Sequence, residues 1–394
     1  MNQTYPVTTI VVLFSFLINL SFAQTSETQL LERWEFSEGE LNSSQSDYAR
    51  GKGIKYFHFT YLSNNKRVNG YLAVPETPDS KPTILWNDGG SAKFYPFATE
   101  QVPRKFGYWA EQGYVVVACN YKDESNSGVK DEFGGEDLDH VINLISILHS
   151  FPEIDTSAVG MFGASRGGMM SYMTLTRTDK IKAVAVVGAP SDLFLNAKNR
   201  PEMDSNVFAD LMPDYKVSRT DALNRRSAVK WADQFPKDVP VLIMHGTSDW
   251  RVRPENSLLL ATELSKYRVP NRLILYEGAD HGISEYRAEV RSETLEWFDR
   301  FLVRKESLPN MEFHGGYRPA DQTYPRICPR LPGRCSNHPV RLYLSAFDLS
   351  TPCGTTSLLN ITHLPLTGCT SIALPSRCKI SSSPPSPFFQ SSLR

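Results

Sequence analysis

The sequence predicts an α/β architecture, a mostly parallel eight-stranded sheet with helices on both faces. Three observations carry this expectation. Short, near-continuous apolar runs such as 114–118 and 183–187 have the texture of strands buried on both faces. From Pro82 onward these runs alternate with segments of helical periodicity, and such alternation demands right-handed crossovers between parallel strands. The chain has 394 residues, 41% of them apolar, which suffices for a sizeable core.

Taken in order, residues 1–23 read as a secretory signal peptide. The apolar run 10–20 is followed by Ser21-Phe22-Ala23, with small residues at the two positions a signal peptidase reads. That run is too short to span a bilayer comfortably, so the mature chain is expected to be secreted or periplasmic, with no stable membrane span. Residues 24–50 form an N-terminal extension, of which 24–45, polar with scattered Leu and Trp, is expected as a helix packed on the outside. A catalytic domain is expected over 51–305. Runs 54–62 and 67–74, separated by Ser63-Asn64-Asn65-Lys66, read as a hairpin. A strand at 83–86, a helix at 103–112 and a strand at 114–118 follow. Leu138, Val141, Ile145 and Leu148 then mark one face of a helix at spacings of three and four. The strand 158–162 runs straight into a glycine-rich turn and a helix over 167–176. Strands at 183–187, 239–244 and 272–276, with helices at 255–267 and 284–302, complete the alternation. Residues 190–238, rich in Asp, Asn, Pro and Met, interrupt it; small helices over the sheet edge are expected there, where a lid would sit.

Residues 306–394 have a different character. From 320 onward there are two acidic residues against seven basic ones, and helical periodicity is absent. Cys328, Cys335, Cys353, Cys369 and Cys378 all fall here, leaving Cys119 alone in the body of the chain. An odd number of cysteines in a secreted segment cannot pair off completely. The segment reads as a disordered tail or as translation out of frame, and no function is placed in it. The net charge of the whole chain is -1, which gives no reason to expect a nucleic-acid partner. No metal cluster, phosphate loop or cofactor motif occurs. The expected partner is a small-molecule or peptide substrate, and the oligomeric state stays open.

The chemistry is concentrated in Gly163-Ala164-Ser165-Arg166-Gly167, a Gly-x-Ser-x-Gly turn between a strand and a helix. This is the setting of the nucleophile elbow of the α/β-hydrolase fold. Side chains flanking the serine would collide in so sharp a turn, and N–H groups at the helix start favour a developing negative charge. A serine hydroxyl is a poor nucleophile until a base takes its proton, and the base needs an acid to orient it. Chain order in this fold is Ser, then Asp or Glu, then His. Of the eight histidines, only His245, His281, His314, His338 and His363 follow Ser165. His281, in "EGADHGIS", lies just after the last strand; His245 is expected to be structural, buried at a strand end. Asp249, in "MHGTSDWRV", emerges at the carboxyl end of its strand, where ligands and catalytic groups gather in open α/β sheets. Asp280 is adjacent to His281 and would point elsewhere. One oxyanion donor is expected from the backbone N–H of Arg166. The other is expected from "WNDGGSAKFYP", where Gly89 and Gly90 let the backbone approach a substrate. Phe94, Tyr95 and Trp250 are candidates to line a substrate pocket, as large aromatics that are as readily plain packing.

"GASRGGMMSY", "HGTSDWRVRPENSLLLATEL", "EGADHGI" and "SETLEWFDRFL" together resemble the catalytic domain of the prolyl oligopeptidase family of serine peptidases, over roughly residues 51–303. The resemblance implies that Ser165, Asp249 and His281 are nucleophile, acid and base. Two features depart from the family. Many members carry a β-propeller before this domain, and the segment before Gly51 is too short for one. Members often place a Tyr or His before the glycine pair, whereas Asp88 stands here, and an ionised carboxylate accepts hydrogen bonds but donates none. The leading expectation is therefore an S9-type serine peptidase. A carboxylic-ester hydrolase acting on esters of sugars or small acids is the alternative, and a catalytically silent binding protein on the same scaffold is a rival from another class.

Overall fold

The computed structural model describes residues 28–44, 46–50, 52–91, 98–121 and 128–314. The expected signal peptide, the five tail cysteines, Phe94 and Tyr95 lie outside the described residues. Nine strands form one sheet: β1 (Gln29–Glu35), β2 (Ile54–Ser63), β3 (Lys66–Pro75), β4 (Lys81–Asn87), β5 (Val115–Cys119), β6 (Ile154–Ala164), β7 (Ala183–Val187), β8 (Val241–Gly246) and β9 (Asn271–Tyr276). Their order is β1-β2-β3-β5-β4-β6-β7-β8-β9. The pairings β1–β2, β2–β3 and β3–β5 are antiparallel. The pairings from β5 through β4, β6, β7 and β8 to β9 are parallel.

The sheet thus has nine strands rather than eight, and the ninth comes from the extension expected to be helical. Edge pairing outweighs the polar composition of β1: its main chain pairs with β2 from Gln29 opposite Leu62 to Glu35 opposite Phe57, with one register shift between Leu30 and Glu32. Arg33 anchors it, donating to both carboxylate oxygens of Glu153 at 2.9 and 2.8 Å, with its guanidinium 3.8 Å from the Phe57 ring centre. The helical part of the extension is the short α1 (Glu38–Ser43), started by a capping box between Ser37 and Glu40. The β2–β3 hairpin turns at Asn64 and Asn65, both at positive φ (51° and 61°), a conformation asparagine tolerates and a tight hairpin turn requires.

The remaining helices of at least seven residues are α2 (Val102–Glu111), α3 (Glu136–Ser146), α4 (Arg166–Leu175), α5 (Leu193–Asn199), α6 (Arg219–Arg225), α7 (Glu255–Lys266) and α8 (Arg287–Phe298). Two apolar layers sandwich the sheet. Leu138, Val141 and Leu144 of α3, Met169, Met170 and Met173 of α4, and Leu260 and Leu264 of α7 pack on one face, against Leu85, Val117, Met161, Val184 and Ile243. Phe106 and Trp109 of α2, with Trp297 and Phe298 of α8, pack on the other face, against Ile84, Val116, Phe162, Ala185 and Leu242. Neighbouring strand residues alternate between the layers, as the pleat dictates. From β4 the chain moves to β5 on one side and then crosses to β6 on the other, so the order reverses between β4 and β6. Right-handed crossovers in opposite directions place α2 and α3 on opposite faces and leave a crevice at that reversal.

The residues between β7 and β8 fold into α5, α6 and shorter turns. Val207, Phe208, Met212, Ala222 and Leu223 join the layer built on α3, α4 and α7, because these apolar side chains have that helical surface to bury against.

Candidate active site

β6 ends at Ala164 and α4 begins at Arg166, so Ser165 alone makes the turn. It sits at φ 52°, ψ -124°, a strained conformation for a residue with a side chain. Its N–H donates to Val187 O at 2.7 Å, fixing the turn to the end of β7. The sharpness of the turn depends on absent side chains. A Cβ on Gly167 would stand 1.9 Å from Asn87 O, so the end of β4 passes directly over the first turn of α4.

The structure brings Ser165, His281 and Asp249 together. Ser165 Oγ lies 2.9 Å from His281 Nε2, and His281 Nδ1 lies 2.6 Å from Asp249 Oδ2. His281 stands in the loop after β9, and Asp249 in the loop after β8. An ionised carboxylate only accepts, so Nδ1 carries a proton and donates it; Nε2 of the neutral ring is then the acceptor for the serine hydroxyl. Asp249 is buried, and its carboxylate is saturated with donors. Its Oδ1 accepts from the N–H groups of Arg251 and Val252 at 2.8 and 2.9 Å. Burial opposes its charge, but the bonds from His245 and His281 outweigh burial and hold the carboxyl far below the usual carboxylate range. Gly188, at φ 56°, passes under the pair: a Cβ there would be 3.3 Å from His281 Nδ1 and 3.4 Å from Asp249 Oδ2.

The loop after β4 borders the serine. A Cβ on Gly89 would stand 3.3 Å from Ser165 Cβ, and Gly90 takes φ 86°. Arg166, as the first residue of α4, has a main-chain N–H with no partner inside the helix. Asp88 is turned away to other work. Its carboxylate accepts from Lys105 Nζ on α2 at 2.6 and 2.5 Å and from Trp86 Nε1 at 3.3 Å, tying the glycine loop to α2.

A model of the prolyl oligopeptidase family matches residues 101–304. The chain belongs to the prolyl oligopeptidase family. It is accordingly a serine hydrolase of the α/β-hydrolase fold. The uncharacterized peptidase YtmA of Bacillus subtilis is 27% identical over 237 residues, covering 58% of this chain and 86% of that protein. Dipeptidyl aminopeptidase BIII of Pseudoxanthomonas mexicana is 27% identical over 248 residues, 56% of this chain but 34% of that protein. Among solved structures, an acylaminoacyl peptidase of Pyrococcus horikoshii superposes with a TM-score of 0.55 at 21% identity, over 66% of this chain and 43% of that one. The match thus spans most of YtmA but less than half of the longer relatives.

Other candidates from the sequence fall differently within this family member. Trp250 is 66% exposed, with the guanidinium groups of Arg200 and Arg251 5.1 and 5.6 Å from its ring centre. Asp280 accepts from the N–H groups of Gly282 and Ser284 at 2.9 and 3.1 Å, while the carboxylate bonded to His281 is that of Asp249. His245 is buried at the end of β8, yet it also contacts the carboxylate of Asp249.

Sequence reasoning missed the side chain of Arg166. It is buried and forks onto both oxygens of Asp131 at 2.7 Å, reaches Asp137, and donates to Gly90 O at 3.3 Å. Its guanidinium carbon lies 4.7 Å from the ring centres of Tyr121 and Phe133. A second buried arginine, Arg226, follows α6 and holds the carbonyls of Phe133 and Glu132 at 2.7 and 3.2 Å. The available signal was a cation beside the serine with acidic residues upstream, but nothing in one sequence says which carboxylates fold back to meet it.

Proposed function

We propose that this chain is a serine peptidase that cleaves peptide bonds through an acyl-enzyme on Ser165. The single observation that carries the proposal is the unbroken hydrogen-bonded series from Ser165 Oγ through His281 to the saturated carboxylate of Asp249. In this reading His281 Nε2 takes the hydroxyl proton as Oγ attacks the scissile carbonyl. The oxyanion settles against the N–H of Arg166 and an N–H of the Gly89–Gly90 loop, and His281 returns the proton to the leaving amine. Water, deprotonated by the same imidazole, then releases the acyl group and restores the serine hydroxyl. Asp249 keeps Nδ1 protonated and stabilises the imidazolium. The relatives described as peptidases support amide cleavage, and the exposed Trp250 between two arginines is a candidate wall for the substrate.

Fluorophosphonate labelling tests the nucleophile: labelling of the wild type and none of Ser165→Ala is expected, and labelling that survives the substitution rejects it. A panel of aminoacyl amides and acetyl esters tests the bond type. Ester turnover with no amide turnover would replace the peptidase reading with the carboxylic-ester one, which the loss of a side-chain donor at Asp88 favours. Export rests on the run 10–20 and Ser21-Phe22-Ala23. It is tested by N-terminal sequencing of the expressed protein, with Gln24 expected first.

A further inference from the structure

We infer that His245 is a positioning residue for the acid of the triad. The inference rests on the catalytic reading given above for Ser165, His281 and Asp249. His245 is the penultimate residue of β8 and has no solvent exposure. Its Nε2 is 2.7 Å from Val252 O and 3.1 Å from Asp249 Oδ2. A carbonyl only accepts, so Nε2 carries a proton, shared between that carbonyl and the carboxylate. Nδ1 lies 2.6 Å from Ser257 Oγ, a contact that joins the ring to α7.

One imidazole therefore pins three elements: the end of β8, the loop that carries Asp249, and α7 through Ser257. It also supplies the fourth donor to the carboxylate. Two main-chain N–H groups occupy Oδ1, and the N–H groups of His281 and His245 share Oδ2. A carboxylate held from four sides cannot rotate away from His281. It is also a weaker base than one held from three, so it steadies the imidazolium without capturing its proton. The titratable groups facing His281 are Asp249 directly and Asp280 next in the chain, whose carboxylate is engaged by Ser284 and Gly282. The charged group that His245 contacts is Asp249.

The test compares His245→Leu, which fills the space without a donor, with His245→Gln, whose amide N–H reaches the place of Nε2–H. Substrate turnover is followed across pH together with thermal unfolding. In the Leu variant kcat is expected to fall roughly ten- to hundred-fold with KM within about twofold. The acidic limb of kcat/KM should move up by about half to one pH unit, because the carboxylate has lost a donor and holds the imidazolium more tightly. The Gln variant should restore the limb and most of kcat. A Leu variant that loses thermal stability but keeps the wild-type limb, or a Gln variant as impaired as the Leu one, overturns the proposal. Should the Leu variant fail to fold, the Gln variant alone decides: a wild-type limb supports the role and a shifted one rejects it. Failure of the catalytic reading is separate, since it would appear as labelling that survives Ser165→Ala.

Discussion

Two residues beside the serine show how the site is set by what is absent and by what is buried. A methyl group on Gly167 would press on main-chain oxygens, Asn87 O at 1.9 Å and Asp88 O at 2.7 Å, which cannot yield without moving the end of β4. Gly167→Ala is expected to cost about 1–3 kcal/mol, seen as a lower urea midpoint, and to slow fluorophosphonate labelling because the glycine loop moves off Ser165. Arg166 poses the opposite case, a buried cation between two carboxylates. Arg166→Met keeps the length and removes the charge, leaving Asp131 and Asp137 uncompensated, and is expected to destabilise by about 3–5 kcal/mol at neutral pH. Burial already raises the Asp137 carboxyl above its ordinary value, with the Arg166 charge as the chief opposing influence. A raised carboxyl favours folding in its protonated form, so the defect should shrink as pH falls toward the carboxylate range and grow as pH rises. Urea midpoints of variant and wild type at pH 5 and pH 8 check this, with the smaller gap expected at pH 5.

Among the elements, the loop after β4 and helix α3 are each tied to a neighbour by polar side-chain contacts. The glycine loop is held to α2 by Lys105 and Asp88, both largely buried. Lys105→Met releases that strap, and a shift of about 1 Å in an oxyanion donor lowers turnover by roughly ten- to hundred-fold; kcat should carry the loss, since the strap does not touch substrate. His140 on α3 lies 2.7 Å from Ser63 Oγ at the end of β2, and its carbonyl accepts from Tyr61 Oη at 2.7 Å. Burial pushes its imidazole down to about 4. The unfolded chain then takes up this proton first as pH falls, so stability present above about pH 6.5 is lost progressively down to about pH 4. The wild type should lose on the order of 1–3 kcal/mol between pH 6.5 and 4.5 that His140→Phe does not lose, measured by chemical denaturation at each pH. The parallel strands and their helices were legible because burial on two faces writes an unbroken apolar run and a period of three to four. The edge strand β1 was not. An edge strand needs only main-chain partners and one apolar side, and "QLLERWE" carries no signal that separates it from a short amphipathic helix.

For the molecule as a whole, topology converts three distant loops into one site. Reversal of strand order between β4 and β6 opens the crevice, and the parallel run β6-β7-β8-β9 delivers Ser165, Asp249 and His281 at the same edge, the carboxyl ends of the strands. That Ser165, Asp249 and His281 would meet was readable in the sequence because each follows an apolar strand, in the order this topology requires. The supports were not: Arg166 with Asp131 and Asp137, and Asp88 with Lys105, are pairs joined across crossovers, and spacing in one chain does not reveal them. The same reasoning bears on residues 315–394. Among the described residues, the nine strands, both apolar layers and the hydrogen-bonded series Ser165–His281–Asp249 lie before residue 304, and the last described segment is tied back by Arg268, which pairs with Glu312 at 3.6 Å and lies 3.9 Å from the Phe313 ring centre. A chain ending at His314 retains these contacts and is expected to label with fluorophosphonate at the full-length rate and to unfold within about 2 °C of it, since a difference of 1 kcal/mol in a domain of this size moves the midpoint by about that much. A loss of labelling or a drop of about 5 °C or more would show that the segment beyond His314 contributes to the fold or the site.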